Sequence, residues 1–235
     1  DIVHKGSAFM SDCFQGAGIA FDLDGTLVDT APDLVRALNA VIAEDGLAPI
    51  PLDEVRAMVG RGARVLIERA YAARKTRLAP DRVDPHVDRF IEIYRNGIAD
   101  LSKPFPGCAE MLESLLKRGA RLSVCTNKPS VLADLLIKQI GFSGYFERVI
   151  GPDRTDAKKP DAAHFFSAIG DAGPNAALVG DSEPDAACGR AAGIPVILMS
   201  HGYSEIPVSA LGADRILDHF SDVPGALEAL WASPD

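Results

Sequence analysis

Long apolar runs, patterned cysteines and basic charge are all scarce in this chain, and each scarcity excludes a class of protein. No apolar stretch approaches the roughly 18 residues a membrane span needs, so no membrane partner is expected. The four cysteines, Cys13, Cys108, Cys125 and Cys188, are scattered with no metal-ligand spacing. Few, unpatterned thiols suggest a reducing cytosol rather than a disulfide framework. Lys and Arg number 24 against 33 Asp and Glu, a net charge of −9. That balance argues against nucleic acid, which demands a basic footprint. Residues 1–9 (Asp1 to Phe9) lack the apolar centre of a signal peptide and read as a vector-derived tag or loose extension, with Met10 as the native start. The expectation is a soluble cytoplasmic protein, monomer or homodimer.

With 47% hydrophobic and 24% charged residues the composition is that of a globular protein. A length of 235 residues suits one large α/β domain or a core plus a smaller cap. The most informative stretch is Ile19-Ala20-Phe21-Asp22-Leu23-Asp24-Gly25-Thr26-Leu27-Val28-Asp29. Its short apolar run reads as a buried strand, and Gly25 as the place where the backbone turns away. Asp22 and Asp24 then fall at or just past the strand's C-terminal end, where open α/β sheets place their ligands. Two acids there cost free energy unless a cation neutralises them. A hard divalent ion that prefers oxygen ligands, Mg²⁺ above all, fits that need.

Strands and helices alternate after residue 104. Buried-strand runs fall at about 122–125, 148–151, 177–180, 195–199 and 214–217. Helical periodicity covers about 108–118, 130–139, 160–169, 184–192 and 223–231. Such alternation implies right-handed crossovers and a doubly wound, Rossmann-like parallel sheet with helices on both faces. Residues 33–103 break the pattern, reading as helices over 33–44, 52–59, 61–74 and 84–98 with no convincing strand between them. Pro32 opens this segment and Pro104-Phe105-Pro106-Gly107 closes it, as suits hinges. The expected organisation is an α/β core from 10–31 and 104–235, with an all-helical cap over 32–103 inserted after the first strand.

Three later segments repeat the logic of an apolar run ending in polar, reactive residue types. The second strand runs into Thr126-Asn127, and the fourth into Gly180-Asp181-Ser182-Glu183-Pro184-Asp185, while Lys158-Lys159-Pro160 opens a helical segment between them. With Asp22-Leu23-Asp24-Gly25-Thr26 these make four motifs in order. Together they resemble the haloacid dehalogenase superfamily of aspartyl-phosphate phosphohydrolases, over roughly residues 18 to 203. The resemblance implies that Asp22 is the nucleophile and Asp24 the general acid and then base. It places Mg²⁺ on the Asp22 carboxylate, the Asp24 backbone carbonyl and the Asp181 carboxylate. Thr126, Asn127 and Lys159 would bind the phosphoryl group, with Asp185, and less strongly Glu183, behind them. Lys158 is expected in solvent, Gly180 to let the backbone pass close to the metal, and Ser182 to cap the next helix.

Because Asp24 is present, carbon–halogen chemistry is not expected. The stretches Val28-Asp29-Thr30-Ala31-Pro32-Asp33-Leu34, Val59-Gly60-Arg61-Gly62-Ala63 and His201-Gly202-Tyr203 resemble those of phosphoglycolate phosphatases. Arg61, at the start of a cap helix where the dipole disfavours a cation, is a candidate for reading a substrate carboxylate, with Arg64 next in line. The expected function is a Mg²⁺-dependent phosphomonoesterase for 2-phosphoglycolate or a similar small phosphorylated metabolite. The alternatives are a phosphosugar mutase, a pyrophosphatase or another phosphatase of the same superfamily. A carbon–phosphorus hydrolase would call for a cap lysine, and Lys75 and Lys103 are poorly placed for that. An idle phosphate-binding protein would not need Asp22, Asp24, Lys159 and Asp181 together.

Overall fold

The computed structural model describes residues 13–232, so the extension expected at 1–9 and the start at Met10 lie outside the described residues. The chain forms β1 (Gly18–Phe21), wholly buried, and then a short β2 (Val28–Asp29). Four helices follow: α1 (Ala31–Glu44), α2 (Leu52–Arg56), α3 (Ala63–Ala73) and α4 (Pro80–Asn96). Strand β3 (Lys103–Pro104) pairs antiparallel with β2, so the chain leaves and regains the sheet layer through a two-stranded ribbon. Then come α5 (Cys108–Lys117), β4 (Arg121–Cys125), α6 (Ser130–Gln139), β5 (Arg148–Ile150), α7 (Ala162–Ile169), β6 (Ala176–Gly180), α8 (Glu183–Ala192), β7 (Val196–Met199), β8 (Arg215–Leu217) and α9 (Val223–Ala232).

The large sheet has the order β5-β4-β1-β6-β7-β8, and each pairing in it is parallel. Successive strand residues face opposite sides. Ile19 and Phe21 pack with Leu112, Leu136 and Leu227 of α5, α6 and α9 on one face, whereas Ala20 and Leu178 pack with Phe165 and Cys188 of α7 and α8 on the other. Covering both faces explains why the strands read as continuous apolar runs. Strand β1 lies between β4 and β6, so the chain departs to opposite sides on either side of it. The C-terminal ends of these three strands form the crevice where such sheets bind ligands.

Several element ends differ from the expected ones, each for a local reason. The helix expected from Arg61 begins at Ala63, because Gly60 (φ +101°) and Gly62 (φ +93°) adopt backbone angles outside a helix. The one before it stops at Arg56, where the hydrogen bonds Met58 N to Val55 O and Val59 N to Arg56 O tighten the chain into turns. Arg61 therefore sits in a turn rather than on a helix. Lys159 and Pro160 precede their helix, which starts at Ala162 with Asp161 as its cap, accepting from Ala163 N at 2.8 Å. Helix α4 starts at Pro80, four residues before the expected start, with Pro80 in its first turn and Pro85 inside. The β2–β3 ribbon was not expected, since two-residue strands carry no periodicity.

The inserted helices pack on one another through narrow apolar stripes. On α4 the stripe is Val83, His86, Phe90 and Tyr94, at helical spacing. The insert is tied to its exit by Asp33, fully buried in the first turn of α1. Its Oδ2 accepts from Leu101 N (2.9 Å), Ser102 N (2.8 Å) and Ser102 Oγ (2.7 Å). Replacing Asp33 by Ala strands these donors in the interior, a loss of about 2–4 kcal/mol. The expected outcome in a thermal melt is a drop in Tm on the order of 10 °C. An unchanged Tm would mean that the ribbon alone holds the two crossings.

Candidate active site

Asp22, the first residue after β1, is 4% exposed, and its Oδ1 lies 2.9 Å from Lys159 Nζ. The same ammonium donates to Asp185 Oδ1 at 2.6 Å. Asp185 stands in the first turn of α8, and its Oδ2 accepts from Asp181 N (3.2 Å), Ser182 N (3.1 Å) and Ser182 Oγ (3.0 Å). Ser182 and Asp185 form a reciprocal capping box, so Ser182 does begin the helix. Gly180 is required by this arrangement: a Cβ there would lie 2.2 Å from the Asp185 carboxyl carbon. The glycine thus makes room for Asp185. Glu183 is half-exposed and Lys158 exposed.

Asp181, at the end of β6, accepts from Thr26 Oγ1 at 2.7 Å on one oxygen and from Tyr203 N at 2.6 Å on the other. Asp22, Asp181 and Asp185 each offer an oxygen within 4.8 Å of the others, all buried. Burial pushes the Asp22 carboxyl up to about 6 against the pull of Lys159. Burial, then Asp185 and Asp22, raise that of Asp181 well above the carboxylate range. Lys159 is held above its usual range: burial disfavours its charge, but Asp185 and Asp22 outweigh it. Three acids face one lysine, and the donors are all hard oxygens, so the set fits a divalent cation. Both oxygens of Asp185 are bonded to Lys159, Ser182 and the Asp181 amide, and both oxygens of Asp181 also accept a hydrogen bond, so a cation would be held through the second lone pairs of these carboxylates.

Asp24 turns its carboxylate to Lys128, whose Nζ contacts Oδ1 at 2.8 Å and Oδ2 at 3.0 Å. The same ammonium donates to Tyr94 Oη of the insert at 2.9 Å. Burial opposes the charge on Lys128, yet Asp24 and Tyr94 hold its pKa above the usual lysine range. The sequence reading passed over Lys128 and Tyr94. Lys128 directly follows Thr126-Asn127, which was the available signal; Tyr94 lies far along the chain on a helix stripe and offered none. Thr126 Oγ1 accepts from Lys128 N at 3.2 Å, leaving its O–H as a donor. Asn127 Nδ2 donates to Gly60 O of the insert and to Lys159 O, both at 3.1 Å, while its buried Oδ1 has no partner.

These groups line one cavity of about 50 Å³, with room for a few water molecules. Asp22, Asp24, Thr126, Asn127 and Lys128 form its floor, and Gly60, Gly62 and apolar residues of α1, α3 and α4 its roof. Arg61 and Arg64 are not brought to it: Arg61 pairs with Glu183 at 3.3 Å, and Arg64 with Asp84 on the outer surface.

A parallel α/β sheet with a buried carboxylate–lysine network at its switch point suits a ligand that brings a cation and an anionic group. Residues 19–199 match the family model for haloacid dehalogenase-like hydrolases. The chain is 50% identical over 222 residues to a phosphoglycolate phosphatase of Caulobacter vibrioides, covering 93% of this chain and 94% of that protein. It is 43% identical over 210 residues to one of Agrobacterium fabrum, covering 88% and 90%. Its fold matches the crystal structure of a "predicted phosphoglycolate phosphatase" from Haemophilus somnus with a TM-score of 0.80 at 30% identity, covering 87% and 95%. The chain belongs to the haloacid dehalogenase-like hydrolase family. Within it, it is a phosphatase, and none of its described helices is long and apolar enough to cross a membrane.

The raised Asp22 carboxyl gives the metal-free fold a distinct pH dependence. Its pKa in the fold lies above the unfolded value of about 3.9. The linked stability is therefore complete below that value and lost as pH rises through about 6. A bound cation requires the ionised carboxylate, so its stabilisation grows across the same window. In melts with and without millimolar Mg²⁺, the Tm gain is expected to be small at pH 5 and to rise through pH 6 and above, as Asp22 and then the more strongly raised Asp181 ionise. At a hundredfold excess over Kd the gain is worth about 2.7 kcal/mol. A gain independent of pH, or absent in Asp181→Ala and wild type alike, would remove Asp22 and Asp181 from the cation site.

Proposed function

We propose that the protein is a Mg²⁺-dependent phosphomonoesterase that hydrolyses 2-phosphoglycolate, or a similarly small phosphorylated acid, through an aspartyl-phosphate on Asp22. The observation that carries the reading is a buried Asp22 flanked by Lys159 and Asp181, with a second acid, Asp24, two residues on and facing the same cavity. The relatives named phosphoglycolate phosphatase support the substrate. Asp22 attacks phosphorus, the bond to the ester oxygen breaks, and Asp24 gives that oxygen its proton. Asp24 then takes a proton from the water that opens the acyl-phosphate, releasing inorganic phosphate. Lys159 holds Asp22 in place and offsets charge on the phosphoryl oxygens, to which Thr126 O–H donates. Bound by Asp22, Asp181 and the Asp24 backbone carbonyl, Mg²⁺ would supply further neutralisation of phosphoryl charge. Asp185 acts behind Lys159.

The segment 32–103 serves as a cap in this scheme. Nine heavy atoms of 2-phosphoglycolate exceed the space for a few waters, so the cap has to lift for entry and its return excludes water. A reducing, cytoplasmic setting fits the four free cysteines and belongs to the same proposal.

The test is phosphate release from 2-phosphoglycolate with Mg²⁺, with excess chelator, and with Asp22→Asn. Chelator is expected to stop turnover and Asp22→Asn to abolish it, because an amide cannot form the acyl-phosphate. Asp24→Asn is expected to cost roughly 10²–10⁴-fold through lost proton transfer. Near-normal turnover by Asp22→Asn, with deamidation excluded by mass spectrometry, would overturn the covalent route.

A further inference from the structure

We propose that Lys128, and not Arg61, reads the carboxylate of the substrate; this rests on the phosphoglycolate reading above. Lys128 is the one cationic side chain on the wall of the cavity among the described residues. Both arginines of the 61–64 turn are paired elsewhere, Arg61 with Glu183 and Arg64 with Asp84 and Glu68. An acid that protonates the ester oxygen must sit against it, and in the proposed scheme that acid is Asp24. In 2-phosphoglycolate the carboxylate carbon is two bonds from this same oxygen. An ammonium 2.8 Å from Asp24 Oδ1 is thus within reach of the substrate carboxylate while still touching Asp24.

An ammonium has three N–H donors, and in this structure all three are occupied, by Asp24 Oδ1, Asp24 Oδ2 and Tyr94 Oη. The tyrosine hydroxyl carries no net charge, so its bond to the ammonium lacks the ion-pair attraction that a carboxylate adds. An arriving carboxylate therefore displaces Tyr94 rather than Asp24. The side chains of the remainder of the roof, Leu34, Val59, Ala63, Leu66 and Phe90, carry no group that could pair with an anion. Without Lys128, a carboxylate here would have no cationic side chain beside it. Tyr94 occupies the subsite when no acid is present, so that the ammonium is never left with an empty donor in an apolar pocket.

The experiment compares kcat/KM for 2-phosphoglycolate and for its neutral carboxamide, in wild type, Lys128→Met and Tyr94→Phe, with melts to confirm folding. Wild type is expected to prefer the acid about 10–100-fold, the range for a charge-assisted hydrogen bond in a dry site. Lys128→Met is expected to bring the ratio near one, largely through KM for the acid. Tyr94→Phe keeps the ammonium and the stacking on Phe90, and is expected to hold the wild-type ratio within about threefold. If Lys128→Met does not fold, the wild-type ratio and Tyr94→Phe still decide. A wild-type preference under threefold overturns the proposal, as does a Lys128→Met that keeps its preference, or a Tyr94→Phe that loses it. Wild type that releases phosphate from neither compound with Mg²⁺ instead overturns the substrate reading itself.

Discussion

Charge balance at the C-terminal end of β1 constrains the rest of the molecule. Asp22, Asp181 and Asp185 are gathered in the interior with one lysine between them. Ionised together, they exceed Lys159 by two negative charges, which a single divalent cation cancels. The Asp24–Lys128 pair beside them is neutral by itself. Burying charges is tolerable only when each is paired and hydrogen-bonded, and this requirement reaches far into the fold. It accounts for the capping box at Ser182, for Gly180 where no Cβ fits, and for the Thr26 hydroxyl and Tyr203 amide spent on Asp181. These groups come from the ends of β1 and β6 and the loop after β7, so the parallel sheet is what brings them together.

The inserted helices meet that charged floor through few polar contacts. Asn127 reaches Gly60 O, Lys128 reaches Tyr94, and the exposed pairs Arg61–Glu183 and Arg69–Glu205 close the rim. Exposed ion pairs contribute about 1 kcal/mol or less each, so they do not lock the insert down. The firmer attachment is at the two crossings, where Asp33 gathers three donors and β2 pairs with β3. Anchored at its stem and lightly held at its rim, the insert has the attachments that the proposed cap motion needs.

The core was legible because its groups stand where the chain changes character. Asp22, Thr126, Asn127 and Asp181 each follow an apolar run, and strands buried on both faces make such runs conspicuous. Lys159 before Pro160 was found through motif order, not periodicity. Arg61 was read onto a helix because Ala63–Ala73 extends its pattern backward; the positive φ of Gly60 and Gly62, which removes it, is a matter of backbone angle. The β2–β3 ribbon is too short for any period to register. Tyr94 meets Lys128 only because α4 lies over the site, a relation of packing between distant segments that local pattern does not contain.

Chemistry and selectivity draw on both layers. The sheet presents anionic groups and Lys159, suited to any phosphate ester, and Lys128, the core group proposed to read the leaving group. The insert supplies Leu34, Val59, Ala63, Leu66 and Phe90 on the opposite wall. An apolar wall lowers the local dielectric, strengthening the contacts among Asp24, Lys128 and substrate. It also penalises a leaving group with several hydroxyls, since each would be buried without a partner. A sugar phosphate would meet that penalty at every hydroxyl, whereas in the proposed function glycolate offers one charged group beside Lys128. In that proposal the same wall that dries the reaction also favours a small, singly functional acid, with no polar contact required from the insert.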